Sequence, residues 1–330
     1  MALILSRADI QRCLSMAEAI EAMRSAFGAL SGGQAQAPQR MGVSLSEQGT
    51  ALLMPSLLQT MGQHAFGLKV VTFMPRNPLR NLPRIFASVL LLDATTGKTQ
   101  AILEGGWLTA MRTGAVSGLA TSLLARQDSD ILALFGAGVQ APMQVLAIHT
   151  VRPLREVRVV NRNDEHYQQL VTNLHALLGP TCPPIHRAAS ASEALEGALL
   201  VACATSAAAP LFRWSEVTPG AHINAIGAFT PEMCEVDAET LAHARIVVDE
   251  RESALVEAGD LIQALATGRI TGSETWIELG ELVREVQPGR QEQEEVTFFK
   301  SVGIAVQDVA VALRVYSRAR ELGIGIDVDI

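Results

Sequence analysis

A chain of 330 residues is longer than one hydrophobic core usually fills, so two domains are expected. With 48% hydrophobic and 18% charged residues it reads as a globular protein, and a net charge of −8 without any dense basic stretch excludes a nucleic-acid partner. Aromatics, at 4%, are too scarce for the stacking platforms that bind sugars or single strands.

The cysteines Cys13, Cys182, Cys203 and Cys234 lack metal-ligand spacing and read as buried free thiols of a reducing, cytoplasmic setting. The histidines are scattered, so no metal is expected. The N-terminal MALILSRADIQ turns charged too early for a signal segment. GALLVACATSAAAPLF, from Gly197 to Phe212, is short and rich in Ala and Ser, and reads as a buried strand plus loop rather than a membrane span.

In chain order, Ser15 and Glu18 form an S-x-x-E capping box. Ile20, Met23, Phe27 and Leu30 then recur at helical spacing, and Gly32-Gly33 ends the run. FGLKVVTFM (66–74) is rich in β-formers. IFASVLLLD and TQAILEG flank a short link containing Gly97, a hairpin pattern, so this region predicts an antiparallel or mixed sheet. Thr109 to Arg126 predicts a helix whose Gly114, Ala115, Ser117, Gly118 and Ala120 let another backbone come close.

DILALF then reads as a strand buried on both faces, followed by the Gly136–Ala141 loop and the helix APMQVLAIHTV. VRVVN (157–161), the helix EHYQQLVTNLHALLG and strands at 198–205, 222–227 and 245–250 continue the alternation. The fold class expected is α/β with a doubly wound parallel sheet. In that context G-x-G-x-x-A carries a dinucleotide: Gly136 allows the tight turn, Gly138 lets amides approach a pyrophosphate, and Ala141 permits close helix–strand packing. Val139 and Gln140 complete the loop. NAD-preferring folds place Asp or Glu at the end of the second strand; here stand Asn161, Arg162 and Asn163. Arg162 can pair with a 2′-phosphate, so NADPH is favoured over NADH. Asp164 weakens that argument if the register slips by a residue or two.

LTAMRTGAVSGLATSLLAR, LALFGAGVQA, VRVVNRN and FFKSVGIAVQDVAVA occur in this order and spacing. Together they resemble the ornithine cyclodeaminase/mu-crystallin family across nearly the whole chain. The resemblance implies a Rossmann-type NADP-binding domain (125–303) and a discontinuous α+β substrate and dimerisation domain (1–124, completed by the C-terminal helix, 304–330). It therefore implies a homodimer. In that helix Val309, Leu313 and Tyr316 share a face. The resemblance also implies a substrate that is a small amino or cyclic imino acid. Arg40 in APQRMGV would grip the carboxylate. Lys69 in FGLKVV would donate a proton, its pKa lowered by burial and nearby arginines. Arg112 in MRTGA would lie where substrate and nicotinamide meet, with Thr113 beside it on the cofactor. From sequence alone, Lys69 reads more readily as a solvated or edge-guarding strand residue, and Arg112 equally as an interface ion pair. Thr205-Ser206, Ile226-Gly227 and Val302-Gly303 would line the nicotinamide and substrate.

The departures narrow the chemistry. In the family that the resemblance points to, the cyclodeaminases carry an aspartate after the NAIG strand that assists loss of ammonia and ring closure; Phe229 occupies its place here and can neither accept a proton nor hydrogen-bond an amine. The resemblance therefore implies a cationic pocket without an acidic residue to help expel ammonia, and net reduction of a cyclic ketimine such as Δ1-pyrroline-2-carboxylate or Δ1-piperideine-2-carboxylate, as a step of proline or related amino-acid metabolism. Arg84 in LPRIF departs from the small hydroxyl residue common in relatives. The alternatives are a cyclodeaminase-type lyase, an open-chain alanine dehydrogenase, and a non-catalytic NADPH-dependent ligand-binding protein.

Overall fold

The computed structural model describes residues 1–60 and 63–330, and the chain divides into two compact units, Met1–Arg112 with Ile304–Ile330, and Thr113–Gly303. The first unit opens with β1 (Ala2–Leu5), α1 (Arg7–Cys13), α2 (Met16–Ser31), β2 (Ala35–Gln36), β3 (Met41–Ser44) and β4 (Thr50–Thr60). β5 (Gln63–Phe73), β6 (Ile85–Asp93) and β7 (Thr99–Glu104) follow, and the division falls inside α3 (Gly105–Leu124), before the helix end at which the sequence suggested a boundary. The second unit holds β8 (Ile131–Phe135), α4 (Ala141–Val151), β9 (Glu156–Val160), α5 (Asp164–Leu178), β10 (Ile185–Arg187), α6 (Ala191–Leu195) and β11 (Leu200–Cys203). It continues through β12 (His222–Ala225), α7 (Ala238–His243), β13 (Ala244–Val248), α8 (Arg251–Glu257), α9 (Gly259–Ala266), β14 (Ile277–Glu278), α10 (Leu279–Val283) and β15 (Val296–Lys300). α11 (Ala305–Leu322) and β16 (Ile326–Val328) return to the first unit.

The first unit's sheet runs β16-β1-β7-β6-β5-β4-β2, with β3 also on β4. It is mixed, as expected: β1 pairs parallel with β7, and β5, β6 and β7 are antiparallel. Ser15 caps α2 as its spacing predicts, accepting from Glu18 N at 3.3 Å while Glu18 Oε2 accepts from Ser15 N at 3.0 Å. α3 starts earlier than expected, at Gly105. The reason is Glu104, whose carboxylate accepts from Gly106 N (2.7 Å) and Trp107 N (3.0 Å) and satisfies the first turn. On β5 the pleat buries Lys69 on one face and leaves Phe66 and Val70 exposed on the other. Met41, Val43 and Phe86 are exposed too, which leaves apolar surface on that sheet.

The second unit is a parallel sheet in the order β10-β9-β8-β11-β12-β15-β13-β14. Its first five strands, read from β8, run outward to β10 on one side and to β12 on the other, the doubly wound order whose direction reverses between β8 and β11. β8 explains its continuous apolar run: Leu132 and Leu134 pack with Val145, Ile148 and Leu170, whereas Ala133 and Phe135 pack with Val201 and Ile223 in a second cluster. Gly114 behaves as the small-residue helix predicts, because an added Cβ would lie 2.5 Å from Met143 O of α4.

Two expectations need correction. Cys13, Cys203 and Cys234 are buried free thiols, but Cys182 is only partly buried. In α11, Leu313 and Tyr316 are half-buried, and the packed stripe runs instead through Asp308, Val311, Val315 and Ala319. Asp308 is buried with the rest of the helix's first two turns, Val309 included, and there Lys69 and Arg112 answer its charge.

Candidate active site

Lys69 is the centre of a buried polar cluster in the first unit. Strand pairing sets it between Met54 on β4 and Val89 on β6, both buried. Met41 of β3 pairs with Leu53, so Arg40, one residue earlier, sits at the level of Met54 and Lys69. Two residues before Lys69, Gly67 lets α11 come close: an added Cβ would lie 2.5 Å from Val309 Cγ2. That approach brings Asp308 Oδ2 to 2.8 Å from Lys69 Nζ, with both side chains almost wholly buried. Arg112 of α3 donates from Nε to Asp308 Oδ1 at 3.1 Å and from Nη1 to Gln307 Oε1 at 2.5 Å. Burial is the main force on the Lys69 ammonium and the Arg112 and Arg40 charges add to it; Asp308 opposes them, and the pKa comes down to about 8.

The sequence placed Lys69 among apolar residues with arginines near, and the structure gathers Lys69, Arg112 and the charge of Arg40 in one cluster. It also adds an acid that the sequence did not single out. Asp308 bridges the two buried cations, and Gln307 holds the guanidinium's other edge. Sequence reasoning singles out neither, since Arg112 and Asp308 stand 196 residues apart. The available signal was a lone carboxylate inside the apolar run AVQDVAVA, where burial demands a cationic partner.

In the second unit the β8–α4 turn carries the glycine loop. Gly136 has φ +99°, and a Cβ there would lie 2.5 Å from Ala204 O, so the loops after β8 and β11 meet only because this residue is glycine. Gly138 is different: an added Cβ would meet nothing within 4 Å, so the turn leaves open space where a phosphate would lie. Val139 is 83% exposed, Gln140 Oε1 is buried without a hydrogen-bond partner among the described residues, and Ala141 is buried. At the end of β9, Asn161 Nδ2 donates to Asn163 O at 2.7 Å, and Asn163 Oδ1 caps α5 by accepting from His166 N at 2.9 Å. Asp164 pairs with Arg187, and Arg162 is exposed. These features fit a dinucleotide.

Thr205, Ile226 and Val302 each lie just beyond the carboxyl end of a parallel strand, β11, β12 and β15 respectively. Two buried carboxylates hold these loops, and the sequence points to neither. Glu235 takes the backbone N–H groups of Thr205, Gly227 and Ala228 and the Thr205 hydroxyl. Asp249 Oδ2 takes Ser301 Oγ, Val302 N and Gly303 N at 2.8–2.9 Å. Thr113 is buried, and its carbonyl accepts from Gln144 Nε2 at 3.3 Å. Phe229 is 48% exposed. Arg84 is exposed, and its carbonyl accepts from Met74 N at 2.7 Å. Among the described residues no group of three or more His, Cys, Asp or Glu could hold a metal ion, and no helix is long and apolar enough to cross a membrane.

Residues 1–323 match the model of the ornithine cyclodeaminase/mu-crystallin family. A Δ1-pyrroline-2-carboxylate reductase of Bacillus cereus is 37% identical over 325 residues, 98% of each chain. The structure of Thermococcus litoralis Δ1-pyrroline-2-carboxylate reductase with NADH and L-proline superposes with a TM-score of 0.92 at 38% identity, covering 99% of this chain and 100% of that one. An archaeal alanine dehydrogenase dimer with bound NAD gives a TM-score of 0.91 at 33% identity, covering 100% and 99%.

Proposed function

Because the chain belongs to the ornithine cyclodeaminase/mu-crystallin family, we propose that it is an NAD(P)H-dependent ketimine reductase, favouring NADPH, that converts Δ1-pyrroline-2-carboxylate or Δ1-piperideine-2-carboxylate to L-proline or L-pipecolate. The observation that carries this reading is the buried Lys69–Asp308–Arg112 cluster, with a lysine whose pKa lies near 8. The first unit then serves for substrate, the second for nucleotide.

When bound, the nucleotide supplies hydride. Everything else falls to the chain. An imine carbon accepts hydride readily only once its nitrogen is protonated, so a proton must be at hand. Lys69 holds one, buried beside apolar strand residues and poised to release it near neutral pH. Arg112 and Arg40 bind the substrate carboxylate, and Asp308, bridging Arg112 and Lys69, keeps the two cations aligned. Phe229 leaves its segment without a carboxyl group to assist loss of ammonia, which supports reduction over cyclodeamination.

The test is a spectrophotometric assay with NADPH or NADH and the five- or six-membered ketimine, run beside L-ornithine with NAD and pyruvate with ammonia. Ketimine-dependent NADPH loss is expected. Activity confined to ornithine or to pyruvate would overturn the reading.

Arg162 carries the cofactor preference. Its replacement by alanine is expected to raise the KM for NADPH about tenfold while leaving that for NADH nearly unchanged, since one charge-assisted contact to a phosphate contributes roughly 1.5 kcal/mol or more. Equal effects on both nucleotides would remove Arg162 from the site.

We further propose a homodimer through the exposed apolar face of the first unit's sheet, where Met41, Val43, Phe66, Val70 and Phe86 are too many for bare surface. A Phe86→Glu chain is expected to elute as a monomer where the parent elutes as a dimer. A parent that is monomeric at all concentrations contradicts this.

A further inference from the structure

Glu235 lies outside every group that the reduction uses directly, yet it is completely buried and hydrogen-bonded on both oxygens. Oε1 accepts from Thr205 N at 2.7 Å and Thr205 Oγ1 at 2.8 Å; Oε2 accepts from Gly227 N at 2.7 Å and Ala228 N at 3.1 Å. The first pair belongs to the loop after β11, the second to the loop after β12. An isolated carboxylate in such a place costs several kcal/mol, so its retention calls for a reason. The crowding around Gly227 supplies one. A side chain there would collide with the Thr205 backbone and with Glu235 itself, so the two loops are drawn together around the carboxylate. The carboxylate is in turn seated from beneath, because Asp260 Oδ1 accepts from Glu235 N at 2.5 Å and Val236 N at 3.0 Å, while Asp260 Oδ2 pairs with Lys300 Nζ at 2.5 Å.

We propose that Glu235 is a positioning residue for the dinucleotide: its ionised carboxylate ties the loop after β11 to the loop after β12 and fixes the backbone that receives the nucleotide. This rests on the nucleotide reading above. Both loops lie beyond the carboxyl ends of central parallel strands, the side of such a sheet where nucleotides bind. The chemistry requires the anion. With two donors on each oxygen, neither oxygen has room for a proton. Protonation, or an amide in place of the acid, sets donor against donor at one loop and releases it. The groups around it are Lys300 of β15, which favours the anion, Asp260 of α9, which opposes it, and the thiols Cys203 of β11 and Cys234, both held protonated by burial. Burial outweighs the hydrogen bonds and Lys300, so the Glu235 carboxyl stands above its ordinary range. Its proton therefore returns at a pH at which surface carboxylates are still ionised.

The experiment is titration with NADH, which lacks the 2′-phosphate that itself titrates near pH 6, followed by tryptophan fluorescence from about pH 8 down to about pH 5.5. The chains compared are the parent and Glu235→Gln. Expected is a Kd about tenfold higher for the variant at the alkaline end, where the two chains differ most. Parent affinity should weaken on acidification while its circular dichroism stays constant, and the variant should lack that acid limb. If Glu235→Gln does not fold, Glu235→Asp, which keeps the charge but shortens its reach, takes its place: a Kd for NADH within about twofold of the parent's overturns the proposal. So does a variant Kd within about twofold of the parent's with the same pH curve. A parent that binds neither NADH nor NADPH would instead overturn the nucleotide reading, and with it this inference.

Discussion

Lys69→Met lowers kcat/KM for the ketimine by about a thousandfold, the scale expected for loss of a positioned general acid, and leaves nucleotide affinity nearly as it was. The side chain keeps its length and apolar stem, so the strand pairing around it survives. The pH profile adds a second, independent mark. A proton donor works only while protonated, and the Lys69 pKa is about 8. The parent's kcat/KM should therefore be level below that pH and fall about tenfold per unit above it. The residual activity of the methionine chain should show no such alkaline limb. Steady-state kinetics across pH check both marks; an unaltered profile in the variant would assign the proton to another group.

Asp308→Asn gives the second large effect, of a different kind. The carboxylate is the shared counter-charge of two buried cations. Removing one partner of a buried ion pair costs about 3–5 kcal/mol, because the remaining charge stays desolvated. Lys69 can escape part of that cost by giving up its proton, since Asp308 is what holds its pKa up against burial. Two measurements follow: a lower melting temperature, and an alkaline limb displaced to below about pH 8. Arg112, left with Gln307 to hold it, should also lose its alignment, so the KM for the ketimine should rise. An unchanged melting point together with an unmoved limb would show that the bridge is not needed.

The parallel sheet was legible because its strands announce themselves locally. β8 is a five-residue apolar run, and β8, β9 and β11 are separated by helical or turn-rich stretches. The glycine loop was legible for the same reason: its strand, turn and helix are contiguous in sequence. Lys69 and Arg112 took meaning only from a family resemblance, since a lysine on a strand or an arginine on a helix has several ordinary explanations. The carboxylates Asp308, Glu235 and Asp249 were not legible, because each acts on partners brought near by folding. Asp308 meets Arg112 across 196 residues, and Asp249 holds Gly303 across 54. For Asp308 alone the sequence does show an acid embedded among apolar neighbours, a sign that some distant cation must answer it. Arg84 remains an exposed departure that nothing in the structure explains.

Gly67 has a bearing on how this protein can be altered. Between the helix and the strand it leaves no room for even a methyl group, because Val309 already fills that place. Lys69 and Asp308 sit two residues beyond Gly67 and one residue before Val309. The gap between backbones therefore gauges the gap between the charges. A single carbon added at position 67 touches no reacting group, yet it wedges the carboxylate away from the ammonium and retunes the acid from behind.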